Sequence, residues 1–183
     1  MVLYSLPYNE IEFNQMSGRA GRDGAPASVH LLYNRADGQV NEMLLGEMTP
    51  DRDRMAQVYR YLRDEQRKVG EGFFMVSDAQ IAQGASTPRS VLSPAAVACA
   101  ISVFRELGLV ETHTTFSSDA ALRAVRVVPT QDKVELENSV RYREGLNDQA
   151  IFAQFSTWAL DQPVEVLQER IARPILPACV PVL

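Results

Sequence analysis

Ten residues near the start of the chain, Gln15-Met16-Ser17-Gly18-Arg19-Ala20-Gly21-Arg22-Asp23-Gly24, most constrain its fold. Three glycines allow positive φ and close backbone approach. Two arginines supply rigid forked donors suited to phosphate oxygens. The run lies between two apolar, β-rich stretches: Val2, Leu3 and Tyr4 ending at Pro7, and Ser28 to Tyr33. Proline cannot sit within a central strand, so the first stretch ends there. Ile11 and Phe13 mark a short amphipathic segment ahead of Gln15. The order expected is therefore strand, a helical segment with the arginines at its end, then strand. A strand beginning at residue 1 suggests the C-terminal piece of a larger polypeptide.

The rest of the chain is punctuated by starts and stops. Residues 34–38 read as a turn and 40–45 as a short helix ending at Gly46. Thr49-Pro50-Asp51 reads as a helix start: a capping residue, proline in the first turn and acids after it. Met55, Val58, Tyr59 and Leu62 then form an apolar stripe at helical spacing, with Arg60, Arg63, Arg67 and Lys68 on the other faces as a solvated surface, DNA contact being the alternative.

Residues 73–76 read as a short strand, and Ser77 as the cap of a short helix carrying Ile81. A loop over 84–92 follows. Ser93-Pro94 opens a second helix, with Val97, Ala100, Ile101, Phe104 and Leu107 on its buried face and Gly108 ending it. Residues 109–115 and 121–128 read as a hairpin whose tip is Ser117-Ser118-Asp119. This order predicts a winged helix-turn-helix over 49–129. Its last helix carries Arg105 as its only cation, which is poor material for reading bases. The candidate DNA contacts are Arg89, Arg105, Arg123 and Arg126. A helix over 139–144, an amphipathic stretch over 147–160 with Ile151, Phe152, Phe155, Trp158 and Ala159 on one face, a helix over 164–171 and a proline-rich arm over 174–183 complete the chain.

Composition limits the function. The chain has 183 residues, 46% hydrophobic, enough for one large or two small domains. Its net charge of −5 argues against a broad basic coat for nucleic acid. No stretch approaches a membrane span. Cys99 and Cys179 lack metal-ligand spacing and read as small buried hydrophobes, which suits a reducing cytoplasm. With His30 and His113 as the only histidines, no zinc site is expected. There is no G-x-x-x-x-G-K-[ST] loop and no D-E-x-H run, so ATP hydrolysis by this chain alone is not expected.

The run over 15–24 resembles motif VI of superfamily 2 helicases, and its GRAGRDG spelling is nearest to RecQ-type helicases. That resemblance makes Gln15, Gly18, Arg19, Gly21 and Arg22 the candidate phosphate-contacting residues, toward nucleotide or DNA. It implies that the last arginine reaches ATP held on another domain.

The whole layout resembles the C-terminal region of the bacterial single-stranded-DNA-specific exonuclease RecJ. The match rests on 2–7, on 50–53 leading into 58–62, on 103–110, on 133–139 with Tyr142, and on 152–158. It implies an α+β chain in three parts: the tail of a RecA-like helicase domain (1–48), a winged helix (49–129) and a C-terminal helical segment with an arm (130–183). It further implies a non-catalytic region serving a Mg²⁺/Mn²⁺-dependent 5′→3′ exonuclease of DNA repair and recombination. The partners implied are single-stranded DNA and an upstream nuclease or helicase domain. No Asp-His-His motif is present, so no catalytic residue or metal ligand is carried over. A RecQ-type ATP-dependent helicase is the alternative parent, although the cysteines of its zinc site are missing from 36–70. A protein-interaction module using the 151–158 face is a further alternative.

Overall fold

The structure, a computed structural model, describes residues 1–21, 26–114, 122–130 and 133–172, without the side chains of 35, 114 and 170–172. It is a mixed α+β chain. In order, its elements are β1 (Val2–Leu3), α1 (Glu10–Ser17), β2 (His30–Leu31), α2 (Arg35–Met48), α3 (Arg52–Val69), β3 (Phe74–Ser77), α4 (Asp78–Ala85), α5 (Pro94–Glu106), β4 (Val110–Thr114), β5 (Leu122–Val127), α6 (Val140–Asp161) and α7 (Val164–Ala172). A 3-10 turn at Leu136–Asn138 precedes α6. The chain divides into two compact units: Met1–Met43 with the chain from Asn147 onward, and Leu44–Leu146.

In the first unit β1 and β2 pair in parallel, Val2 opposite His30 and Leu3 opposite Leu31. Asn9 caps α1, its side chain accepting from the Glu12 N–H at 2.8 Å. The Glu12 carboxylate in turn accepts from the Tyr8 N–H, also at 2.8 Å. Leu3, Leu6 and Phe13 are buried, as are Phe152, Phe155 and Ala159 of α6. Phe13 lies 6.0 Å from Phe155, and Tyr8 lies 5.9 Å from Phe152, ring centre to ring centre.

The expected turn and short helix over 34–45 are instead one helix, α2. The Asn34 side chain accepts from the N–H groups of Ala36 and Asp37, and Asp37 accepts from the Asn34 N–H at 2.9 Å. That reciprocal capping converts a turn-like composition into a helix start. Gly38 is tolerated within it because the Tyr33 hydroxyl occupies the space a Cβ would need. Gly46 likewise lies inside the helix instead of ending it.

In the second unit α3 starts two residues later than the sequence suggests. Asp51, not Thr49, is its cap, accepting from the Arg54 N–H at 2.8 Å. Thr49 closes the preceding helix by donating its N–H to Leu45 O, and its buried side chain fills the position of a Cβ at Gly145. The stripe Met55, Val58 and Leu62 is buried and Tyr59 is half-buried.

Ser77 and Gln80 form a full capping box at α4. That helix continues through Gly84 to Ala85, where the sequence predicts a loop, and the Tyr61 ring occupies the space a Cβ at Gly84 would need. Ser93 caps α5 with Pro94 in its first turn. Gly108, at φ +69°, lets the Leu109 N–H return to Phe104 O at 2.8 Å. Strands β3, β5 and β4 form an antiparallel sheet in that spatial order, with Val125 opposite both Phe74 and Thr112. Phe74, Val76, Val110, Val125 and Val127 point into a core shared with α3, α4 and α5.

Residues 139–144 and 147–160, expected as separate helical segments, belong to one 22-residue helix, α6. Gly145 is not a stop; its missing Cβ makes room for Thr49. Trp158 is half-buried and stacks on Phe155 at 5.9 Å, while Ile151 is exposed. No described helix is long and apolar enough to cross a membrane. The expected arm over 174–183, Cys179 and the hairpin tip over 117–119 lie outside the described residues.

Candidate functional site

The Gly/Arg run begins on the last turns of α1. Ser17 is buried and donates its hydroxyl to Phe13 O at 2.6 Å, anchoring the run to the helix. Gly18 is the C-cap, and a Cβ there would sit 3.0 Å from Asn14 O. Two tight turns follow, the Arg19 N–H donating to Met16 O and the Ala20 N–H to Ser17 O, before Gly21 takes φ +68°. Gln15, Gly18, Arg19 and Gly21 are thus gathered at one helix end, all exposed. Arg22 lies outside the described residues. Arg19 makes no ion pair among the described residues. A helix C-terminus presents carbonyl oxygens, which favour a cation there and repel an anion. The Arg19 guanidinium, and not the backbone N–H groups, is therefore what this end offers an anion among the described residues.

The four candidate DNA contacts divide into two kinds. Arg89 stands at the tip of a tight turn closed by reciprocal bonds between Thr87 and Ser90 at 2.9 and 3.1 Å. Arg105 is on the last turn of α5. Both are exposed and make no ion pair among the described residues. Arg123 and Arg126 are already engaged. Arg123 donates to Asp78 at 2.5 Å, both side chains being largely shielded. Arg126 donates to Glu111 at 2.5 Å and lies 5.1 Å over the Phe73 ring, which also meets His113 at 4.9 Å.

The sequence did not reveal a concave region on α3. A cavity of about 590 Å³ is lined by Met55, Tyr59, Arg63, Arg67, Phe104 and Val127, among others. Gln66 holds its wall together, its Oε1 accepting from the Val127 N–H at 2.7 Å and its Nε2 donating to Gly72 O at 2.9 Å. Arg63 and Arg67 are visible in the sequence as a solvated pair. That β5 comes alongside them is a tertiary fact.

Cys99 is half-buried, and burial pushes its thiol up from the ordinary value. No group of histidine, cysteine and carboxylate side chains suited to a metal ion occurs among the described residues. No protein-family model matches the chain, and comparison with characterised proteins and with solved structures yields no match.

Proposed function

We propose that this chain is a non-catalytic, DNA-binding C-terminal region of a larger DNA repair and recombination exonuclease resembling RecJ. The observation that carries the reading is the order of the second unit. Helix α3, strand β3, helices α4 and α5 and the β4–β5 hairpin run in sequence, with β5 central in the sheet. That order supports a winged helix-turn-helix reading, and such modules commonly serve DNA. The parallel β1–β2 pair around α1 is what the tail of a RecA-like domain would contribute, since parallel strands ordinarily belong to larger, covered sheets. Exposed Arg19, Arg89 and Arg105 supply phosphate contacts, whereas α5 offers little for base reading. The binding is therefore directed at the backbone and indifferent to sequence.

Fluorescence anisotropy with a labelled single-stranded oligonucleotide across a salt series tests this reading. Salt-dependent binding supports it; no binding at micromolar protein refutes it.

A RecQ-type helicase parent is favoured by one specific observation, the uninterrupted GRAGRDG spelling with Arg19 exposed. The gene upstream of Met1 separates the two. An Asp-His-His motif there selects the nuclease, a phosphate-binding loop followed by D-E-x-H selects the helicase, and neither motif overturns both.

A further inference from the structure

We infer that the cavity between α3 and the end of β5 receives an unstacked nucleotide of single-stranded DNA. This rests on the DNA-binding reading above and names a location for it. The cavity, at about 590 Å³, falls within the roughly 300–1,000 Å³ of small-ligand sites. Its floor is apolar, built from Met55, Phe104 and Val127, with half-buried Tyr59 packed on Phe104 at 5.4 Å and 61°.

Two cations stand at its edge. Arg63 and Arg67 are four residues apart on one helix, so they present to the same side. Arg63 is exposed and has no ion-pair partner among the described residues. Among the described residues Arg67 pairs only with Asp64, at 2.8 Å and with side chains 68% and 63% exposed. So exposed a pair is weak and gives way to a phosphate, which a guanidinium binds through two parallel hydrogen bonds. Arg52, also in the lining, is held by two carboxylates, Glu137 at 2.6 and 2.8 Å and Glu135 at 3.5 Å, and is not counted toward the ligand.

An aromatic-walled apolar hollow beside two available guanidinium groups fits a flat apolar body joined to an anion. A nucleotide of a single strand has that form, its base entering the hollow and its phosphate meeting the arginines. A free inorganic anion gains nothing from the apolar floor, and a base within a duplex cannot leave its stack without cost.

The test uses the full chain and a fluorescein-labelled dT15 oligonucleotide. A double variant, Arg63→Glu with Arg67→Glu, alters two exposed side chains, so its thermal unfolding by circular dichroism should match the parent. Its affinity is expected to fall tenfold or more, and its log–log salt slope to shrink by about 1.4, or about 0.7 for each lost contact on a single strand. The matching reversal Arg60→Glu with Lys68→Glu, on the same helix but outside the cavity, is expected to have a much smaller effect. Photocrosslinking with 5-iododeoxyuridine should label the peptide containing Tyr59.

Unchanged binding by the Arg63/Arg67 variant, or an equal loss from the Arg60/Lys68 variant, overturns the cavity and leaves the DNA reading intact. Absence of any dT15 binding by the parent chain overturns both. The site would be a protein-docking one, and the proposal wrong, if an acidic peptide ending in an apolar residue binds there without competition from dT15.

Discussion

The Ser139 hydroxyl donates to Glu106 Oε2 at 2.7 Å, joining the end of α5 to the start of α6. The same carboxylate accepts from the Val140 N–H at 2.6 Å, and Ser139 Oγ accepts from the Tyr142 N–H at 3.1 Å. The hydrogen bond from Ser139, followed by that from Val140, holds the Glu106 carboxyl below its ordinary range. Because the folded value is the lower one, its stabilisation is present above the unfolded carboxylate value, about 4.3. It is lost as pH falls through the folded value. Thermal unfolding followed from pH 7 down to pH 3 should show Tm falling below about pH 4. Glu106→Gln should lower Tm at pH 7 and flatten that acid limb.

Gly84 should be intolerant of even one methyl group. A Cβ there would collide with the Tyr61 ring. Gly84→Ala is expected to cost about 1–3 kcal/mol, despite alanine's better helix propensity. In a double-mutant cycle, Tyr61→Ala should recover most of the Gly84→Ala penalty, read from urea midpoints. Additive losses would show that the ring is not the obstacle.

Among the arginines, structural and binding roles should separate. Arg123→Ala strands Asp78, whose Oδ1 is already buried without a hydrogen-bond partner among the described residues. Stability should fall by about 1–3 kcal/mol, with single-strand affinity little changed in the folded fraction. Arg89→Ala with Arg105→Ala should do the reverse, weakening binding and the salt dependence while leaving Tm within about 1 °C, since exposed substitutions of this kind are nearly neutral.

The cap of α3 gives a sharper discrimination between neighbouring residues. Asp51→Ala should lose about 1 kcal/mol, the ordinary cost of an N-cap. Thr49→Ser should show a smaller cavity-type loss, because Thr49 acts through packing. Equilibrium unfolding of both variants distinguishes the roles.

Much of the second unit was legible beforehand. Ser77 and Ser93-Pro94 marked helix starts, Gly108 marked a stop, and Val97, Ala100, Ile101 and Phe104 marked a buried face. These signals are local: a cap, a proline or a 3.6-residue repeat acts within one or two turns. The misreadings cluster at glycines. Gly38, Gly46 and Gly84 read as breaks, yet each lies inside a helix, and at Gly38 and Gly84 the Tyr33 or Tyr61 side chain occupies the place of a Cβ. A glycine left vacant for a distant neighbour and a glycine ending a helix have the same letter.

The sequence by itself determined where most helices start, which faces are apolar, and that the described part of the Gly/Arg run, Gln15 to Gly21, lies at a helix end. Tertiary structure alone decided which arginines remain available. Arg123 and Arg126 are consumed by Asp78 and Glu111, contacts set by how β5 lies against α4 and β4. Arg63 and Arg67 acquire an apolar hollow beside them because Gln66 ties α3 to Val127. Helix and strand periodicities are short-range and written along the chain. The partner of a charged side chain depends on which segments folding brings within a few ångströms of it.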